Sequence, residues 1–308
     1  MLNSAQPQPE GLLYHPDLEH DACGVGFVAD ISGHQSHGIL EKAVESVVNL
    51  THRGAVSSDM KTGDGAGILT QVPHKLLSRD LEKQSVRLPR PTDLAVGMLF
   101  LPRDAVARER CQQIVEQVAA QNALRLLAWR DVPIDPSVLG AQALATQPVV
   151  RQALLGRPDG LSDAAFERTL YLARKQIERQ VADAGIPDFY APSFSHQTVV
   201  YKGLFVAPQL AAFYKDLRDK SFAVSLAVFH QRYSTNTFPN WYLAQPFRFV
   251  GHNGEINTLQ GNRNWIRARE PQMQSQVWKE RVADLRPLIQ PGGSDSANLD
   301  NALEALVM

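Results

Sequence analysis

Residues 22–30 read ACGVGFVAD. The apolar run after Cys23 predicts a short buried strand, and what precedes it is of another kind. The first 22 residues, MLNSAQPQPEGLLYHPDLEHDA, are rich in Pro, Gln and acid and show no period. They make a poor candidate for packed structure. They are not a secretory signal either, since a basic leading region is missing and Leu12 and Leu13 are an isolated pair of bulky aliphatics. A lone cysteine at a strand start is most often a small buried hydrophobe. Cut between Ala22 and Cys23, however, the chain would begin with an α-amino group beside its own thiol. The amine titrates at about 7.7–8.0 and the thiol at about 8.5, so near neutral pH the neutral amine takes the thiol proton. One residue would then be nucleophile and base together. Gly24 and Gly26 leave the space around the sulfur open to a substrate.

Working outward, residues 39–53 predict a helix, with Ile39, Leu40, Ala43, Val44, Val47 and Val48 on one face. Turn chemistry at 63–67 leads into a strand at 68–72. Residues 94–101 read as a strand, 105–121 as a helix with Cys111, Ile114, Val115 and Val118 along one stripe, and 124–129 as another strand. Ser162 is a good N-cap for a long helix through Phe166, Leu170, Ile177 and Val181, stopped by Gly185 and Pro187. Strands are predicted at 198–206, 222–230 and 247–251, and helices at 258–269 and 296–308. The last is amphipathic through Leu299, Ala302, Leu303 and Leu306. It runs to Met308 without a C-cap, which leads us to expect that the natural polypeptide continues.

Composition narrows the function classes. Of 308 residues 44% are hydrophobic and 20% charged, enough to bury a substantial core and too apolar for disorder. With 31 basic against 32 acidic residues, no global field recruits nucleic acid or an anionic membrane. Two cysteines, Cys23 and Cys111, exclude a disulfide scaffold and a four-cysteine metal site within this chain. Cys111, on an apolar stripe, reads as structural. No apolar run is long enough for a membrane span, and the expected compartment is a reducing cytoplasm. Residues 24–29 formally match the G-x-G-x-x-A dinucleotide pattern, but an irregular tail precedes them and a strand continues where a helix should open. His34 and His37 have metal-like spacing without a third ligand nearby.

Three clusters downstream strengthen the nucleophile reading of Cys23. Residues 51–54, THRG, end the first helix. Residues 230–237, HQRYSTNT, follow the apolar run of a strand, where polar side chains are commonly delivered to a site. Residues 252–257, HNGEIN, contain an Asn-Gly pair, first of all a turn signal. Yet an Asn side-chain amide and the next backbone N–H also make a two-donor oxyanion hole.

The segments CGVGF (23–27), THRGA (51–55), TGDGAG (62–67), HQRYSTNT (230–237), GHNGEINT (251–258) and GGSDS (292–296) together resemble the class II, N-terminal-nucleophile glutamine amidotransferases. TGDGAG and the run YSTNTFP (233–239) point within them to the glutamate synthase branch. The resemblance runs in order from Cys23 to the chain end. It implies an α+β fold, the four-layer αββα sandwich with two antiparallel sheets, with Cys23 at a strand start and residues 105–190 as a helical elaboration. It implies two parts, a leader at 1–22 removed to expose Cys23 and an amidotransferase domain at 23–308.

The resemblance also assigns roles. Cys23 attacks the glutamine carboxamide, and Asn253 with the Gly254 N–H stabilises the oxyanion. Arg232 pairs with the substrate α-carboxylate, a bidentate task suited to its planar fork. Asp295 takes the α-ammonium, Arg53 supports the nucleophile and its loop, and Ser234 and Thr235 help hold substrate. No cofactor is expected in this chain. FMN, an iron–sulfur cluster and an electron-donating small subunit or ferredoxin are implied for a synthase region beyond Met308 that makes glutamate from 2-oxoglutarate. The alternatives are another class II amidotransferase, a stand-alone glutaminase, or an inactive scaffold of the same fold.

Overall fold

The computed structural model describes residues 24–233 and 237–308. The proposed leader at 1–22, Cys23, Ser234 and Thr235 lie outside the described residues. In chain order the elements are β1 (Val25–Ala29), α1 (His37–Asn49), β2 (Ala66–Gln71), α2 (His74–Glu82), β3 (Leu94–Leu101), α3 (Ala105–Gln121), β4 (Arg125–Asp131), α4 (Ala141–Ala145), β5 (Val149–Gly156), α5 (Asp163–Asp183), β6 (Tyr190–Ser195), β7 (Thr198–Gly203), α6 (Ala207–Phe213), β8 (Leu226–Gln231), α7 (Leu259–Arg269) and α8 (Asp295–Val307). The strands form two four-stranded antiparallel sheets, ordered β1-β8-β2-β7 and β4-β5-β3-β6. Helices α1 and α6 pack with the first sheet, α3 and α5 on the second.

Strand β3 explains why the sheets face each other. All eight of its residues are buried, and alternation sends them to two different cores. Leu94, Val96, Met98 and Phe100 join the cluster that holds Ile68, Tyr201 and Phe229 of the first sheet. Ala95, Leu99 and Leu101 point the other way, onto Cys111, Ile114 and Val118 of α3 and Phe166, Leu170 and Ile177 of α5. Cys111 is therefore a packing residue, and burial pushes its thiol up to about 11. Ser162 caps α5 as expected, its Oγ accepting the Ala165 N–H at 3.3 Å. Among the described residues no helix is long and apolar enough to cross a membrane.

Two expectations are corrected. Residues 105–190 are not a helical elaboration: β4 and β5 within them pair with each other and, through β3, join β6 to make the second sheet itself, in the order β4-β5-β3-β6. And residues 247–251 form no strand. The Phe249 and Val250 N–H groups donate instead to Asp300 Oδ1, at 2.7 and 3.2 Å, so a helix 50 residues away satisfies the backbone that a neighbouring strand would have paired.

The sheets are also joined by charge. Arg130 on β4, 6% exposed, makes a bidentate pair with Asp216 at 2.8 and 2.8 Å, and Asp216 accepts the Tyr201 hydroxyl of β7 at 3.0 Å. Removing Asp216 takes the bidentate partner from a buried guanidinium, whose Nε keeps Asp80 at 2.9 Å and whose Nη1 keeps Gln152 at 2.9 Å. Asp216→Ala is therefore expected to cost about 3–5 kcal/mol of folding stability, read from the midpoint of urea unfolding.

Candidate active site

The strand start at Gly24 is fixed by two neighbours, Gln231 and Asn253. The Gln231 N–H donates to the Gly24 carbonyl at 2.7 Å, continuing the β1–β8 ladder. A side chain at position 24 would put its Cβ 2.6 Å from the Gln231 carbonyl oxygen, so only glycine fits there. The Gly24 N–H, in turn, donates to Asn253 Oδ1 at 3.1 Å. Residues separated by 229 positions thus meet beside the site where Cys23 joins the chain.

That contact orients the Asn253 amide. A backbone N–H can only donate, so the atom facing it is the amide oxygen, and the donor end is turned away from Gly24. Both Asn253 and Gly254 are exposed. The pair expected to act as oxyanion donors therefore lies at the surface, next to the residue that follows Cys23.

The segment carrying the pair is held from both sides. The Gln245 side chain brackets His252, accepting its N–H at 2.9 Å and donating to its carbonyl at 2.8 Å. His230 on β8 donates from Nε2 to the same carbonyl at 3.2 Å, which uses both of that oxygen's lone pairs. Burial pushes the His230 imidazole down to about 4, so it is neutral near pH 7 and Nε2 carries its proton. The His252 ring meets Ser296 Oγ at 3.1 Å, and the Ile256 N–H donates to Asp295 Oδ2 at 2.8 Å. With Asp300 on Phe249 and Val250, the first two turns of α8 grip residues 249–256 at four positions. Gln245, His230, Ser296 and Asp300 were not predicted as site residues. His230 and Ser296 carried a signal, through their places in HQRYSTNT and GGSDS; Gln245, seven residues before His252, and Asp300, fifty residues after Val250, are common side chains outside those motifs.

Arg232 lines a cavity of about 430 Å³ with Ala55, Asp64, Tyr233 and Phe238. Its Nε lies 3.4 Å from Asp64 Oδ2, and its carbonyl accepts the Gln245 N–H at 3.2 Å. Arg53 closes a single 3-10 turn at Thr51–Arg53, immediately before Gly54 and Ala55. Asp295, 2% exposed at the start of α8, lines a different cavity of about 490 Å³ between α7 and α8. Its Oδ1 accepts the Ser296 N–H at 2.6 Å. The structure thus brings Asn253 to Gly24, while Arg232 and Asp295 front separate cavities. Among the described residues no group of three His, Cys, Asp or Glu side chains could hold a metal ion.

With this geometry in view, the similarity to known proteins can be placed. A family model for class-II glutamine amidotransferases matches residues 23–308. The chain is 46% identical to the glutamate synthase (NADPH) large chain of Azospirillum brasilense, over 96% of this chain and 19% of that protein. It is 44% identical to ferredoxin-dependent glutamate synthase 2 of Synechocystis, over 99% of this chain and 19% of that protein. It is 42% identical to the glutamate synthase (NADPH) large chain of Bacillus subtilis, over 100% of this chain and 20% of that protein. The chain therefore spans about a fifth of the length of these relatives.

Proposed function

This chain belongs to the class II glutamine amidotransferases, and on that premise we propose that it hydrolyses the side-chain amide of glutamine through Cys23, freed by removal of residues 1–22. The neutral α-amine of Cys23 takes the thiol proton and the thiolate attacks the carboxamide carbon. The oxyanion is received by the Asn253 side-chain N–H and the Gly254 backbone N–H. The α-ammonium returns the proton to the leaving nitrogen and ammonia departs, leaving a glutamyl thioester on Cys23. Water, deprotonated by the same amine, adds to the thioester and releases glutamate. Arg232 pairs with the substrate α-carboxylate, Arg53 supports the loop beside the nucleophile, and Ser234 and Thr235 help hold the substrate; Asp295, which the family resemblance gives to the α-ammonium, fronts the separate α7–α8 cavity and has both carboxylate oxygens on backbone N–H groups.

The observation that carries this reading is the hydrogen bond from Gly24 to Asn253. It sets the residue that follows the proposed nucleophile beside the residue proposed as oxyanion donor, the neighbourhood that acyl transfer calls for. The relatives' names extend the proposal to the whole protein. There the ammonia would serve a synthase region that makes glutamate from 2-oxoglutarate, with FMN, an iron–sulfur cluster and an electron-donating small subunit or ferredoxin. The residues here do not fit the iron–sulfur cluster: it needs several thiolates, and this sequence offers Cys23 and the buried Cys111.

The test is a glutaminase assay paired with intact mass. The purified protein is expected to release ammonia and glutamate from glutamine in equal amounts, and its active fraction to have a mass that starts at Cys23. Full activity from a chain still carrying residues 1–22 would exclude the α-amine as base.

A further inference from the structure

Asp64 sits in TGDGAG, and nothing in the mechanism above uses it. It is 5% exposed, and neither carboxylate oxygen has a hydrogen-bond partner among the described residues. Beside it the Gln231 amide is fully buried and likewise without a partner among them. Both crowd the α-carbon of Gly54, where an added Cβ would stand 2.2 Å from Gln231 Nε2 and 3.2 Å from Asp64 Oδ1. The backbone ties the same pieces together: the Asp64 N–H donates to the Ala55 carbonyl at 3.1 Å, and Val56 bridges Gly63. Asp64 is thus built rigidly into the floor of the cavity that Arg232 lines.

A buried carboxylate costs several kcal/mol unless a cation is near, and burial does raise the tendency of Asp64 to hold its proton while Arg232 opposes it. The cation is Arg232, approached on its Nε edge at 3.4 Å. A guanidinium offers two edges, and a carboxylate on the Nε edge leaves the pair of terminal nitrogens for a second, bidentate partner.

Resting on the reading of this domain as a glutaminase, we propose that Asp64 is a positioning residue: it holds Arg232 by the Nε edge so that the terminal nitrogens receive the α-carboxylate of the substrate amino acid. Gly54 is the clearance that lets Asp64 reach it beneath the loop after Arg53.

The test is a double-mutant cycle read on two ligands. Asp64→Asn, close to isosteric, is expected to raise KM for glutamine about tenfold with kcat within about twofold, because the interaction lost is made equally in ground and transition states. Calorimetric Kd for L-glutamate, which carries the same α-carboxylate and needs no turnover, should weaken by the same factor. In an Arg232→Ala background the Asp64→Asn change should shift either constant by less than about twofold, since coupled residues are non-additive. An undiminished effect in that background would mean that Asp64 contacts substrate directly, and would overturn the proposal, as would a loss confined to kcat. Should Asp64→Asn fail to fold, Asp64→Glu decides: it keeps the charge but displaces Arg232, and is expected to raise KM and Kd by about two- to fivefold; unchanged constants refute positioning. A wild-type protein that binds L-glutamate but does not hydrolyse glutamine would sink the glutaminase reading, and the Kd cycle would still judge Asp64.

Discussion

Cys23→Ser, in a chain processed to begin at residue 23, is expected to lose glutaminase turnover by about 10³-fold or more, the scale on which removal of a nucleophile acts in hydrolases. The reason is a matched pair of acidities. A thiol near 8.5 and an α-amine near 7.7–8.0 exchange a proton at almost no cost, so a sizeable share of molecules carries thiolate and ammonium together. A serine hydroxyl holds its proton far more tightly, and the same amine cannot take it before attack. Asn253 and Gly254, proposed as oxyanion donors, and Arg232, proposed to bind the carboxylate, are untouched by the change, so the product L-glutamate should still bind with its ordinary affinity. Steady-state ammonia release and calorimetry on one preparation separate these quantities. Turnover within threefold of wild type would remove Cys23 from the mechanism, whereas joint loss of turnover and glutamate binding would indicate a collapsed pocket instead of a missing nucleophile.

How much of this was legible in the sequence follows from the range over which each residue acts. Leu94–Leu101 announced a strand through eight consecutive apolar residues, and the structure buries them on both faces, divided between the two cores. Ser162 announced α5 because N-capping is local. Strands β5 and β6 were passed over: Arg151 and Gln152 interrupt the first, and Pro192 with Ser193 and Ser195 dilute the second. Gln152 is buried because it accepts a hydrogen bond from Arg130 across 22 residues, which no local pattern reveals. Missing these two strands is what made the second sheet look like a helical elaboration. The residues at 247–251 misled in the opposite sense, with strand-like composition but backbone donors taken by Asp300. At the site, the motifs exposed the residues that touch substrate in the proposal. They did not expose Gln245 and Asp300, whose work is to hold backbone in place.

Asn253→Ala should lower kcat by about 10²–10³-fold, the cost of one lost oxyanion donor, with a much smaller change in KM. The ground-state carboxamide gains little from a donor aimed at where charge develops, so the loss falls on the transition state. The structure adds a second arm. Asn253 Oδ1 is occupied in accepting the Gly24 N–H at 3.1 Å, so the side chain does two separable things: it seats the start of β1, and it presents a donor. Asn253→Asp separates them. The carboxylate keeps an acceptor for Gly24, so β1 remains seated, but it has no N–H to offer and places negative charge beside the developing oxyanion. If donation is what matters, Asn253→Asp is as inactive as Asn253→Ala or worse, despite retaining the contact to Gly24. If seating matters more, Asn253→Asp recovers most of the activity that alanine loses. Steady-state kinetics of the two variants decide between these roles, and recovery by aspartate would strip Asn253 of its place in the oxyanion hole.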